Sequence, residues 1–296
     1  MPIKILDGGT GRELQRLGAP FRQPEWSALA LLEAPEYVLE CHGNYIKSGA
    51  DVITTNSYAV VPFHLGEERF SRQGKQLAQL AGKLAFDAKQ HAHQSVMVAG
   101  SLPPVMGSYR PDLFETQQAQ RILRVLIDAL EPWVDMWLGE TLSSVAEATL
   151  FFSLLPKNRP IWVSFTIDDR SPPENPRLRS GESLAMACRL ALDNGAEALL
   201  FNCSQPEIML GAVKQTNAIR ANAPHKFEIG VYANAFPIQN GEEAANEHLH
   251  DIRADLTPLR YAEFAQSWVD AGATIIGGCC GIGPEHIKAL SQRFSL

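Results

Sequence analysis

The stretch Ala273-Thr274-Ile275-Ile276-Gly277-Gly278-Cys279-Cys280-Gly281-Ile282-Gly283-Pro284 reads as a buried β-branched strand that delivers two thiols into a glycine-rich turn, with a helix over 285–290 behind it. The same unit, a short apolar run, a polar or glycine turn and a helical segment, recurs from one end of the chain to the other. Apolar runs stand at 3–6, 52–55, 96–99, 134–138, 161–165, 198–201, 228–231 and 274–276. Helical patterns lie between them at 35–47, 73–89, 116–130, 143–155, 182–194, 207–220 and 259–270. Such alternation predicts a parallel sheet with crossover helices, and eight units close more naturally into a (β/α)8 TIM barrel than into an open sheet. The 296 residues suit one such α/β barrel domain over 1–296, since the fold needs about 250 residues plus insertions.

A barrel of this kind gathers the residues just after its strands on one face. Those residues are Asp7-Gly8-Gly9-Thr10, Thr55-Asn56-Ser57-Tyr58, Gly100-Ser101, Gly139-Glu140-Thr141, Asn202-Cys203-Ser204, Tyr232-Ala233-Asn234 and Gly278-Cys279-Cys280. Two insertions, 168–181 and 236–258, are expected to be surface loops able to cover that face.

The net charge of −7 and the lack of a basic block argue against a nucleic-acid or anionic-membrane partner and leave small molecules as the expected partners. No apolar run is long enough for a signal peptide or a membrane span, so a cytoplasmic protein is expected. The five cysteines fit a reducing compartment better than a disulfide framework. A homo-oligomer is compatible with the composition.

Vicinal cysteines cannot easily close on each other, whereas flanking glycines let both sulfurs face one point, as a soft metal requires. Cys203 follows the sixth strand and Cys279-Cys280 the eighth, so barrel geometry can bring three sulfurs together. Three thiolates suit zinc and leave a coordination position for substrate. Cys41 and Cys188 fall inside helical patterns and read as packing residues. His64, His225, His248 and His250 read as solvated loop residues, and His42 and His286 lie in or beside helices. His248 and His250 share a spacing that a metal could use, but without a carboxylate–histidine pattern around them.

Asp7-Gly8-Gly9-Thr10-Gly11-Arg12-Glu13-Leu14, Gly49 through Tyr58, Glu140-Thr141, Asn202-Cys203 and Gly277-Gly278-Cys279-Cys280-Gly281 together resemble, in order and from end to end, the homocysteine S-methyltransferase family. The resemblance implies a zinc-dependent (β/α)8 barrel with Cys203, Cys279 and Cys280 as the Zn2+ ligands. It further implies that Asp7 and Glu140 hold the homocysteine ammonium while backbone N–H groups around Gly8, Gly9 and Thr10 take its carboxylate. A glycine loop running into a helix offers unpaired N–H groups and a positive dipole end, which suits a carboxylate independently of the family. The loop matches neither the dinucleotide nor the P-loop pattern. Taken singly, Asp7 and Glu140 could instead be helix caps or loop anchors.

The resemblance also bears on the methyl donor. Pro24-Glu25-Trp26-Ser27-Ala28 resembles the region after the first strand in members that use S-methylmethionine or S-adenosylmethionine, and Trp26 can attract a sulfonium through its ring face or simply pack under the barrel rim. The cobalamin and folate domains of other relatives are not recognisable, and Thr141 stands where betaine-using relatives have tyrosine. Asn234 is expected to reach the open metal position or the substrate, although Ala233 replaces a common proline and Gly9-Thr10-Gly11-Arg12 departs from the commoner versions. The expectation is therefore methyl transfer from a sulfonium to homocysteine, giving methionine. The alternatives are the same barrel with betaine or another donor, and a non-catalytic zinc or thiol barrel that senses oxidants.

Overall fold

Eight strands, β1 (Lys4–Ile5), β2 (Val52–Thr54), β3 (Met97–Leu102), β4 (Met136–Leu142), β5 (Ile161–Phe165), β6 (Ala198–Asn202), β7 (Glu228–Tyr232) and β8 (Ile275–Ile276), form one all-parallel sheet in the order β1-β8-β7-β6-β5-β4-β3-β2. Most of their residues are buried on both faces, as near-continuous apolar runs require when helices cover a parallel sheet. A parallel bridge between Leu6 and Val52, flanked by Asp51 N–H to Ile5 O at 2.7 Å and Asp7 N–H to Val52 O at 3.0 Å, joins β1 to β2 and closes the barrel. The computed structural model describes residues 2–223, 227–238 and 251–294. His225, His248, His250 and part of the expected 236–258 loop lie outside them.

The core has two layers. Leu6, Val52, Ala99, Met136, Leu138, Trp162, Ala198, Leu200, Tyr232 and Ile275 fill the barrel interior, contributed by alternate strand positions. A larger shell, with Tyr45, Trp137, Phe165, Phe201 and Trp268 among it, lies between strands and helices and contains Cys41 and Cys188 as expected.

Helices Pro35–Lys47 and Thr116–Leu130 match the sequence pattern end for end. The helix expected from 73 runs from Glu67 to Gln90. Its first turn carries Glu67 and Glu68, which favour a helix N-terminus through the dipole. The sheet also holds an irregularity that alternation cannot reveal, because β4 shifts register against β5 between Gly139 and Leu142. Thr141 in that shift has φ of 59°. This bulge sets Glu140 at the barrel mouth. No helix among the described residues is long and apolar enough to cross a membrane.

Candidate metal centre and cavity

Cys203 leaves β6 with φ of 47°, and Cys279 and Cys280 leave β8. Their three sulfurs lie within 4.8 Å of one another, so two strand ends 76 residues apart in sequence meet at one point of the barrel mouth. Cys203 and Cys279 are joined as a disulfide, with Cα atoms 5.7 Å apart, and Cys280 is free and half-buried. The expectation of five reduced cysteines therefore needs correction at this pair. Sulfurs brought this close can be held as thiolates by a cation or can bond to each other, and reduction is the step that makes all three available as ligands. The donor set fits zinc: three soft sulfurs converge from two elements and border a cavity that leaves room for a fourth ligand.

Asn202 fixes this corner. Its Oδ1 accepts from Thr141 N–H at 3.1 Å and Ser164 Oγ at 2.8 Å, and its Nδ2 donates to Thr141 Oγ1 at 2.7 Å and lies 3.9 Å from Cys279 Sγ. Behind Cys203, the 168–181 segment does more than cover the surface. Arg179 pairs with Asp169 at 3.1 Å, with side chains only 5% and 0% exposed, donates to Thr166 Oγ1 at 2.9 Å and reaches the Cys203 carbonyl at 3.5 Å. The guanidinium also stacks 4.2 Å over the ring of Tyr109, which lines the cavity. A loop expected to lie on the surface is thus anchored through a buried ion pair.

The cavity holds about 110 Å³ and is bordered by Asp7, Gly8, Gly9, Thr10, Trp26, Glu140 and all three clustered cysteines. Asp7 is buried at the end of β1 and accepts from Thr54 N–H at 2.7 Å and Thr54 Oγ1 at 3.1 Å. Glu140 accepts from Ser101 Oγ at 2.5 Å. Neither carboxylate pairs with a cationic side chain among the described residues. Burial raises the pKa of Asp7 well above the usual carboxylate value, helped by the negative charge of Glu140, and burial raises Glu140 also. An ammonium bound between them would supply the missing countercharge.

The glycine loop has a second role that its sequence did not announce. Gly9 N–H donates to Ile282 O at 2.9 Å, and a Cβ on Gly9 would lie 2.6 Å from the Cys279 carbonyl oxygen. Gly9 is therefore spent on docking the β1 loop against the cysteine loop, and its amide is not a ligand donor in this geometry. The single O–H of Tyr45 is shared between the carbonyls of Gly9 at 3.1 Å and Ile282 at 3.3 Å. The amides of Thr10 and Gly11, at the start of helix Thr10–Leu17, have no acceptor among the described residues, and both residues border the same cavity.

Two other expectations change. Asn234 does not border the cavity. It is buried behind the cysteines, its backbone N–H on Ser204 O at 3.1 Å and its Oδ1 accepting from Phe236 N–H at 3.3 Å, while Nδ2 has no partner among the described residues. The physical reason is that Ala233 and Ala235 are both pinned to the cysteine loop, through Cys279 N–H to Ala233 O and Ala235 N–H to Cys280 O, which turns Asn234 toward β6. His64, expected in solvent, is 3% exposed in the short helix Pro62–Leu65, where it borders the cavity beside Trp26. A lone histidine between Phe63 and Leu65 carries no periodic signal that would have placed it there.

Residues 4–294 match the family described as homocysteine S-methyltransferase. Homocysteine S-methyltransferase 1 of Brassica oleracea var. italica is 29% identical over 318 aligned positions, covering 97% of this chain and 92% of that protein. The metallated form of the Escherichia coli homocysteine methyltransferase MmuM superposes with a TM-score of 0.80 at 28% identity, covering 99% of this chain and 96% of that one. Its oxidised form superposes with a TM-score of 0.79 at 27% identity, covering 98% and 96%.

Proposed function

The chain belongs to the homocysteine S-methyltransferase family, and we propose that it is a zinc enzyme that moves a methyl group from a sulfonium donor to the thiol of homocysteine. One observation carries this reading: three convergent sulfurs border the same cavity as two buried carboxylates with no cationic partner and an indole ring. Cys203, Cys279 and Cys280 would hold the metal as thiolates once the Cys203–Cys279 bond is reduced, in the reducing cytoplasm that the cysteine usage suggests. Bound zinc would keep the homocysteine sulfur as a thiolate.

Asp7 and Glu140 hold the homocysteine ammonium, and the Thr10 and Gly11 amides, with Gly8 beside them, take its carboxylate. Trp26 faces the donor. The thiolate attacks the donor methyl, a new S–CH3 bond forms, and the electrons of the broken bond stay on the donor sulfur, which leaves as a neutral thioether. With S-methylmethionine both products are methionine. Ionisation alone gains roughly thirtyfold, since a thiol with a pKa of about 8.5 is a few per cent thiolate at neutral pH. Alignment of sulfur and methyl can supply about 7 kcal/mol, so the positioning groups dominate.

The test joins zinc analysis of the reduced protein to a donor panel. Reduced wild type should bind about one zinc per chain. Replacing Cys203, Cys279 or Cys280 by Ala should remove metal and activity together. Methionine should form with S-methylmethionine, less readily with S-adenosylmethionine, and not with betaine. Turnover with betaine alone overturns the donor assignment, and zinc binding with no turnover favours the thiol-sensing barrel.

A further inference from the structure

His64 is the one histidine among the described residues that borders the cavity, and its surroundings fix its hydrogen-bonding role. Its Nδ1 lies 2.9 Å from Pro24 O. A carbonyl oxygen can only accept, so Nδ1 carries the proton and Nε2 presents a lone pair. Nε2 has no partner among the described residues, although the ring is 3% exposed. Burial lowers the ring's pKa to about 4, which keeps it neutral at ordinary pH. The cavity wall thus holds a fixed, uncharged acceptor aimed away from its own backbone anchor.

Its neighbours define what such an acceptor can meet. Trp26 packs edge-on to His64, with ring centroids 6.1 Å apart, and Arg12, whose guanidinium donates to Gln15 Oε1 at 2.9 Å and lies 5.9 Å from the ring of Phe236, borders the same cavity. An aromatic face, a neutral acceptor and a guanidinium match a sulfonium, an ammonium and a carboxylate in turn. The homocysteine groups are already matched by Asp7, Glu140 and the β1-loop amides, so this second set is left for the other substrate.

We propose that Trp26, His64 and Arg12 form a second amino-acid subsite that recognises the methyl donor as a sulfonium α-amino acid, with His64 Nε2 accepting a hydrogen bond from its ammonium. The assignment rests on the sulfonium reading above and sharpens it, because betaine has no N–H to offer and simple sulfoniums have no ammonium.

The test compares S-methylmethionine with dimethylsulfoniopropionate, which keeps sulfonium and carboxylate but lacks the ammonium, in reduced, zinc-loaded enzyme. Wild type should show a KM at least tenfold higher for the analogue. His64→Phe should raise the KM for S-methylmethionine by about tenfold and remove most of that preference, whereas His64→Gln, whose amide oxygen can replace Nε2, should recover part of it. A wild type that uses both sulfoniums with equal KM overturns the subsite and leaves the sulfonium reading standing, whether or not the variants fold. A His64→Phe enzyme impaired equally on both donors assigns the residue to supporting Trp26 and also overturns it. Turnover of betaine alone by wild type rejects the sulfonium reading itself, and the subsite with it.

Discussion

Asn202 and Thr141 hold each other at two points, with the Thr141 N–H on Asn202 Oδ1 at 3.1 Å and Asn202 Nδ2 on Thr141 Oγ1 at 2.7 Å. The pair ties the residue before Cys203 to the residue after Glu140, and both Cys203 and Thr141 have positive φ. Strained backbone of this kind persists only when its surroundings over-determine it. Asn202→Ala would leave the Thr141 N–H and Ser164 Oγ without their shared acceptor in a buried site, at a cost of about 1–3 kcal/mol each. The expected result is a lower thermal midpoint, weaker zinc retention and a raised homocysteine KM in one variant. Wild-type values for midpoint and zinc content would show that the two strand ends are held independently.

His42 predicts the pH dependence of stability. It lies wholly buried in helix Pro35–Lys47 with neither ring nitrogen partnered among the described residues, and burial alone lowers its pKa from 6.5 to about 4. The unfolded chain therefore binds the proton first as pH falls. This group's contribution to stability is complete above about pH 6.5 and is lost between there and about pH 4, to a total of roughly 3 kcal/mol. His42→Leu should flatten that part of the acid limb and be at least as stable as wild type at neutral pH, since two unpaired polar atoms leave the core. Urea unfolding at about pH 5 and about pH 7.5 measures the difference, and parallel losses in the two proteins would refute it.

The eight strands and the meeting of the cysteines were legible because each strand is a contiguous apolar run whose end carries its chemistry. What escaped depends on contacts across the chain. The β4 bulge at Glu140 is a register event between strands, and Asn234 is turned away by backbone bonds to the cysteine loop. Arg179, in a polar Pro-rich stretch, looks solvated until Asp169 and Tyr109 enclose it. Gly9 was legible as part of a loop able to take a carboxylate, but whether its amide serves a ligand or another loop is decided by Ile282, far away in sequence.

Glu140 should act on the amino group of homocysteine and leave the metal untouched. Glu140→Gln keeps an acceptor for Ser101 and drops the charge, so zinc content should stay at the wild-type level while homocysteine affinity falls roughly tenfold or more, the loss expected for a charged hydrogen bond. A desamino analogue of homocysteine lacks the group concerned and should bind both proteins almost equally. Loss of zinc in Glu140→Gln, or undiminished preference for homocysteine over the analogue, would reject this role.

Trp26 should serve any sulfonium, with or without an ammonium, which separates its contribution from that of His64. The ring is held edge-on by Phe21 and His64, each with centroids 6.1 Å away, and lies so close to Gly11 that a Cβ there would collide with Nε1. Trp26→Leu keeps apolar bulk but removes the ring quadrupole, worth about 0.5–2 kcal/mol to a cation, so donor KM should rise by about twofold to thirtyfold. S-methylmethionine and dimethylsulfoniopropionate should be affected alike, with homocysteine KM and zinc content near wild type. Gly11→Ala offers an independent route to the same state, because it displaces the indole without altering it, while alanine favours the helix that begins at Thr10. It should raise donor KM, at a stability cost of about 1–3 kcal/mol for forcing a Cβ against a ring that Phe21 and His64 hold in place. If both variants leave donor KM unchanged, the indole is packing beneath the rim and the cation is held elsewhere in the cavity.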